Sequence, residues 1–153
     1  MLTKLTKNFS LEELCHSDTA LALGLDNKPA QPTITSLTLL AKEILQPIRT
    51  HFKKPVIIKS GYRTRKLEEH LYRDDLLCKP RSLKDAWFLT KSHPKGEAAD
   101  IKIPGIDTKK IYEYILSNLD YDQCFLEYYD EDEPESGWVH VSYRNRKEFG
   151  LIG

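Results

Sequence analysis

Apolar residues in the first third of the chain recur every three or four positions, which is the spacing of one buried helical face. This stripe predicts a long helix and consists of Leu37, Ala41, Ile44, Ile48 and Phe52. Pro47 is expected to bend or locally break that helix, because proline lacks the amide hydrogen that the helical ladder needs. Upstream, Ser10-Leu11-Glu12-Glu13 has the pattern of a capping box and predicts the start of a short helix.

The rest of the chain contains short β-type runs bounded by turn residues. Four of them predict strands: Pro55–Ser60, Ala98–Ile103, Gln123–Tyr129 and Trp138–Tyr143. Helices are predicted over residues 65–76 and after a cap at Asp107. The loop between the last two strands is too short for a βαβ crossover. The sequence therefore predicts an α+β fold with an antiparallel sheet flanked by helices.

Composition sets limits on the function. The 153 residues fit one domain, residues 1–153, and Lys plus Arg and Asp plus Glu each number 23, so no net charge favours nucleic acid. No stretch resembles a membrane span or the apolar core of an export signal. Cys15, Cys78 and Cys124 are odd in number and lack CxxC spacing, which argues against a disulfide framework and a cysteine zinc cluster. No strand edge warns of dimerisation, so we expect a monomer.

Two short motifs carry the residue types of a metal site. Ser92–Asp100 contains His93 and Asp100, and Trp138–Ser142 contains His140. Two imidazoles and one carboxylate can supply three ligands to one divalent cation and leave a fourth position for water. Three protein ligands with an open position are typical of hydrolytic zinc, whereas structural zinc usually has four protein ligands. We therefore predict a catalytic zinc site.

Strand alternation gives His140 a direction. In Trp138-Val139-His140-Val141-Ser142, the two valines point to one face of the strand and the other three side chains point to the opposite face. His140 is therefore expected to point away from the aliphatic core and toward a cleft. On the other motif, a turn through Gly96 is expected to bring the His93 loop back over the strand that starts near Asp100.

Together with Ser60-Gly61-Tyr62-Arg63, these motifs resemble the zinc D-alanyl-D-alanine carboxypeptidase family, specifically its small members found in phages and prophages. The segment Asn8–Leu14 and the long helix before Pro55 are also similar to that subgroup. The resemblance implies a Hedgehog/DD-peptidase fold, a single zinc peptidase-like domain over residues 1–153, and zinc bound by His93, Asp100 and His140.

The resemblance also implies that Arg63 binds substrate and polarises the scissile carbonyl. Physical reasoning agrees, because a guanidinium just after a strand and a glycine turn can bind a terminal carboxylate or stabilise an oxyanion. Ser92, which precedes the metal histidine, and Trp138 are assigned to substrate binding with Arg63.

One position departs from the family pattern. Well-studied catalysts of the family have Asp or Glu three residues before the final histidine as general base, and here that position is Gly137. If the last two strands form a symmetric hairpin with Tyr129 facing Trp138, Glu127 lies opposite His140 on the same face, with Cβ atoms about 5 Å apart. Glu127 is therefore the first candidate for the base.

Glu135 is the second candidate for the base, since it lies five residues before His140 in an acidic loop and could swing toward the metal.

The predicted function is a zinc metallopeptidase that cuts peptidoglycan stem peptides, as a D-Ala-D-Ala carboxypeptidase or as an endopeptidase. Bond choice stays open, because it depends on residues 79–91, an unassigned segment expected to form part of a substrate groove or a lid. Without an export signal, the protein is expected to be made in the cytoplasm and to reach the cell wall after release.

The alternative function is a non-catalytic module that keeps the zinc fold and binds wall peptide or a protein partner. Gly137 is its main support, because a peptidase without a carboxylate near the metal water would lack its general base.

Overall fold

A five-stranded sheet forms the frame of the protein, and helices pack on one of its faces. The computed structural model describes residues 2–73, 90–144 and 148–153. The helices are α1 Leu11–Cys15, α2 Asp18–Leu23, α3 Gln31–Leu40, α4 Gln46–Phe52, α5 Arg65–Leu71 and α6 Thr108–Asn118, with a π-helical turn at Ala41–Leu45 and a 3₁₀ turn at His93–Lys95. The strands are β1 Ile57–Ser60, β2 Ala98–Lys102, β3 Gln123–Glu127, β4 Trp138–Ser142 and β5 Glu148–Ile152.

The strand order is β1-β2-β4-β3-β5, and the α+β class is as predicted. The prediction of an antiparallel sheet is correct for three pairs and wrong for the fourth, because β5 runs parallel to β3. The sequence analysis missed β5, a five-residue strand interrupted by Gly150. A parallel pair needs a long connection, and here the path from β3 to β5 passes through β4.

The predicted long helix is present, and its helical segments follow one another without a break from Gln31 to Phe52. The π-helical turn at Ala41–Leu45 lies just before the proline, and the Gln46 amide donates to the Ala41 carbonyl, five residues back. Such a widened turn accommodates a residue that cannot make the regular bond. The capping predictions are confirmed, since Ser10 accepts from the Glu13 amide and Asp107 accepts from the Lys109 amide.

The hairpin between β3 and β4 has a register two residues away from the predicted one. Glu127 was expected opposite His140, but Phe125 lies opposite His140 and Glu127 lies opposite Trp138. Strand β3 ends early because Tyr128 adopts a left-handed backbone (φ 54°) and leaves the ladder. Since the side-chain period of a strand is two, this shift keeps Glu127 on the same face as His140.

One face of the sheet is apolar and forms part of the core, and the other carries the polar side chains of the candidate site. One face packs against the helices and contributes these buried residues to the core: Ala99, Ile101, Cys124, Leu126, Val139 and Val141. Alternation then places Asp100, Glu127 and His140 on the opposite face, as predicted for His140.

None of the helices in the described part of the chain has the length and apolar character of a membrane span. Residues 74–76 of the predicted 65–76 helix and most of segment 79–91 lie outside the described residues.

Candidate metal centre and its cleft

Three side chains from separate parts of the chain converge on the open face of the sheet. His93 comes from the 3₁₀ turn, Asp100 from β2 and His140 from β4, and one donor atom of each lies within 4.8 Å of the other two. Asp100 and His140 are direct partners across the β2–β4 ladder. His93 Nε2 is 3.5 Å and His140 Nδ1 is 2.9 Å from Asp100 Oδ1. The structure thus brings together all three predicted metal ligands.

The orientation of His93 is fixed by the backbone of the Gly61 turn. His93 Nδ1 lies 2.7 Å from the Gly61 carbonyl oxygen, which can only accept a hydrogen bond. The ring proton therefore sits on Nδ1, and Nε2 presents a lone pair toward Asp100. The backbone amide of Arg63 also donates to the His93 carbonyl at 3.4 Å, so two hydrogen bonds link the Gly61 turn to the 3₁₀ turn of His93. A hydrogen bond of this kind on the far nitrogen is the usual support of a metal-binding histidine.

His140 is supported by Gln123 of the neighbouring strand. His140 Nε2 lies 3.3 Å from the side-chain oxygen Oε1 of Gln123. The backbone N–H of Gln123 donates to Ser142 Oγ at 3.0 Å. His140 Nδ1 lies 2.9 Å from Asp100 Oδ1 and donates to it when that nitrogen carries the ring proton. A bound cation would require the other tautomer, with the proton on Nε2 toward Gln123 Oε1 and the Nδ1 lone pair toward the metal.

The donor set fits zinc. Tetrahedral zinc with ligands at about 2.1 Å holds them about 3.4 Å apart, and the two separations to Asp100, 2.9 and 3.5 Å, lie on either side of that value. Two neutral imidazoles and one carboxylate leave a further position open on the cleft side. The side chains are 6% (His93), 14% (Asp100) and 12% (His140) exposed, so the group is largely shielded from solvent.

The charges of this group reflect its burial. Burial lowers the pKa of His93, which favours the neutral ring that a metal requires. Burial alone would raise the pKa of Asp100, but positive charge on the two neighbouring histidines and hydrogen bonds donated by them outweigh this effect and lower it well below its usual value. A bound cation would take the place of those histidine protons beside the Asp100 carboxylate.

The cleft has a volume of about 310 Å³, and further polar side chains line it. Arg63, at the end of the Gly61 turn, contributes a guanidinium that is 11% exposed and whose Nε lies 2.6 Å from Glu68 Oε2 of α5. Glu127 lies at the end of β3 and also lines the cleft. Burial raises the pKa of Glu127, and the negative charge of Asp100 adds to this effect. A larger cavity of about 500 Å³ lies beside α1 and α2 and contains none of these residues.

Comparison with known protein families gives a match in the N-terminal part of the chain. Residues 7–71 match the model of the Peptidase M15 family. The match confirms the resemblance to the zinc D-alanyl-D-alanine carboxypeptidase type and indicates a metallopeptidase. The matched region is less than half of the chain. It contains Gly61 and Arg63 but ends before the metal group, whose first residue is His93. No curated protein matches the chain.

The remaining predicted site residues lie at different distances from the metal group. Ser92 lines the cleft, and its hydroxyl donates to Gln123 Oε1 at 3.3 Å. Trp138 is not among the residues that line the cleft; it faces Glu127 across the β3–β4 ladder, and its ring lies 4.1 Å from Lys59 Nζ. Glu135 is directed elsewhere, since its Oε1 accepts from the Gly105 amide at 2.6 Å.

The sequence analysis missed two polar residues of this candidate site, Gln123 and Glu68. Gln123 had a usable signal, because it alternates with Phe125 and Glu127 on the predicted strand and must share their face. Glu68 had none, since it lies between charged residues on a short helix and looks like a solvent-exposed position, although it is 1% exposed.

Proposed function

We propose that this protein is a zinc-dependent peptidase that hydrolyses bonds in the stem peptides of peptidoglycan. The observation that supports it most is the convergence of His93 Nε2, Asp100 Oδ1 and His140 Nδ1 in a cleft that also contains Glu127 and Arg63. These three atoms would hold the zinc. When bound, zinc supplies the Lewis acidity that activates water for attack on a peptide carbonyl.

Glu127 is the residue best placed to accept the proton of the attacking water. Its carboxylate lies in the same cleft as the metal group, and a pKa raised by burial makes it a better base than an exposed carboxylate. Glu135 is a weaker candidate, because it is bonded to the Gly105 amide and does not line this cleft. Arg63 is the proposed hydrogen-bond donor to the substrate carbonyl oxygen, where it would stabilise the negative charge that develops during attack.

Peptidoglycan itself provides the test. Zinc-loaded protein is incubated with isolated peptidoglycan with and without a chelator, and new amino termini are identified by mass spectrometry. We expect termini that appear only without the chelator, and the masses of the fragments identify the bond. Absence of new termini with zinc-loaded, folded protein would reject hydrolysis.

Two matched variants separate the candidates for the base. Glu127→Gln should abolish hydrolysis and keep a full equivalent of zinc, whereas Glu135→Gln should retain hydrolysis. Both changes remove one negative charge and keep the size of the side chain, so net charge cannot explain a difference. The reverse result, with an active Glu127→Gln variant, would give the role of base to Glu135.

The second candidate function is a non-catalytic module that binds wall peptide or a protein partner. It is favoured by Gly137, which leaves the family's usual base position without a carboxylate. Binding to peptidoglycan without new termini would support it. In both cases we infer one domain, a monomer, and action at the cell wall after release from the cytoplasm in a phage or prophage setting; the family resemblance supports that setting.

A further inference from the structure

Arg63 and Glu68 form a buried ion pair at the wall of the cleft. Glu68 is 1% exposed and Arg63 is 11% exposed, and Arg63 Nε lies 2.6 Å from Glu68 Oε2. The angle of this contact falls outside hydrogen-bond geometry, so neither oxygen of Glu68 has a hydrogen-bond partner among the described residues. The contact is therefore mainly electrostatic, in a site with little water to screen it.

The pair changes what Arg63 offers to a substrate. A lone guanidinium in a cleft attracts any anion, but a guanidinium with a carboxylate against its Nε side acts as a dipole, whose attraction for an anion falls off faster with distance. Its remaining N–H groups can still donate to a neutral carbonyl oxygen. Compensation by Glu68 thus weakens recognition of a carboxylate more than recognition of a carbonyl.

The other charged side chains of the cleft have both signs and do not by themselves exclude an anion. Among the described residues, those lining the cleft include three acidic side chains, Glu68, Asp100 and Glu127, and two basic ones, Arg63 and Lys91. A bound divalent cation would add two positive charges, but Asp100 is one of its proposed ligands. With that cation the described charges of the cleft sum to one positive charge, so the pairing of Arg63 with Glu68, and not the total charge of the cleft, is what weakens the attraction for a free terminal carboxylate.

We propose that Glu68 determines the substrate class of the site by compensating Arg63. The cleft then prefers a peptide bond inside a chain, as in an endopeptidase, over a bond whose following residue ends in a free carboxylate, as in a carboxypeptidase. This inference rests on the proposed peptidase function and selects between the two bond types that it leaves open.

The test compares two peptides that differ only in their terminal charge. Once fragments from peptidoglycan have identified the cleaved bond, peptides are made that end one residue after it, as the free acid or as the amide. For the zinc-loaded protein we expect kcat/KM to be at least about tenfold higher for the amide. In Glu68→Gln, which leaves Arg63 uncompensated, the amide-to-acid ratio should fall about tenfold or more.

Glu69→Gln is the matched control, because it removes the same charge from the next position of α5. Its side chain is 45% exposed and 3.8 Å from Arg65, so the amide-to-acid ratio should be unchanged. A role of Glu68 in folding alone would lower kcat/KM for both peptides by the same factor. A second variant, Arg63→Met with Glu68→Leu, removes cation and anion together. Because it also loses the proposed carbonyl donor, its ratio is taken from the dissociation constants of the two peptides and should stay within about threefold of the wild-type ratio measured in the same way.

The outcomes separate this inference from the function on which it rests. If the zinc-loaded protein cuts neither peptidoglycan nor the peptides, the proposed function fails and takes the inference with it. If it cuts them but prefers the acid, or if Glu68→Gln leaves the ratio unchanged, only the inference is overturned. If Glu68→Gln does not fold, the double variant decides, since a shift of its ratio toward the acid contradicts compensation.

Discussion

Replacement of Gly61 by alanine tests how the backbone positions the metal site. A Cβ at this position would lie 2.2 Å from the Leu14 carbonyl oxygen and 3.1 Å from its carbonyl carbon. Since ordinary contacts begin at about 3.4 Å, one of the two backbones must move by about 1 Å. The same Leu14 oxygen accepts from the Tyr62 amide at 2.8 Å, and the Gly61 oxygen accepts from His93.

The magnitude follows from these contacts. Overpacking of this size costs about 1–3 kcal/mol, and weakening one buried hydrogen bond adds about 1 kcal/mol. We expect Gly61→Ala to lower the free energy of unfolding of the metal-free protein by about 2–4 kcal/mol. Because the displaced carbonyl orients His93, zinc affinity should fall about 10–100-fold, as for loss of other partners of metal-binding histidines.

Two measurements and one control complete this test. Urea unfolding in the presence of a chelator gives the stability of the metal-free protein, and competition with a chromophoric chelator gives zinc affinity. Gly24→Ala is the control, since Gly24 has φ 66° and its added Cβ would meet nothing within 4 Å. It should cost about 1–2 kcal/mol through backbone strain and leave zinc affinity unchanged. A Gly61→Ala protein with the wild-type zinc affinity would refute the positioning role of the Gly61 carbonyl.

Two further predictions concern the usual base position and the thiols. Gly137→Glu should lower the free energy of unfolding by about 2–4 kcal/mol in urea, because Gly137 has φ 63° and its added Cβ would lie 2.2 Å from the Glu127 carbonyl oxygen. A Gly137→Glu protein with the wild-type urea midpoint would contradict this strain. Burial raises the pKa of Cys15 to about 11 and that of Cys124 to about 12. In a Cys78→Ser variant at pH 8, both thiols should therefore react with a disulfide reagent at least about 100-fold more slowly than in denaturant, with rates that rise as pH increases; rapid reaction of native protein would refute their burial.

Local patterns predicted most helices and strands because their signals lie within a few residues. The capping residues Ser10 and Asp107 and the alternation in Trp138–Ser142 are examples, and each has the predicted structure. Strand β5 and its parallel partner were not predictable in this way. Pairing of β5 with β3 is a long-range contact, and nothing inside a five-residue strand with a central glycine specifies its neighbour.

The candidate site was predictable to the extent that it depends on motifs. His93 and Asp100 are seven residues apart and joined by one turn, and His140 faces outward by alternation, so their convergence needed only the strand pairing. Glu68 depends instead on where α5 packs against Arg63. A glutamate on a short charged helix is far more often solvated than buried, and only the tertiary structure distinguishes the two cases.

Gly137 looks like a lost base in the sequence, but the structure gives it another role. Its left-handed backbone and its close approach to the Glu127 carbonyl allow the chain to enter β4 directly beside the end of β3. A carboxylate at position 137 would prevent that approach, whereas the glycine brings Glu127 next to the strand that carries His140. The predicted register was wrong by two residues, yet Glu127 kept its face; a shift of one residue would have turned it to the core. The parity of the hairpin, and not its exact register, therefore decides whether Glu127, the proposed base, shares the face of His140.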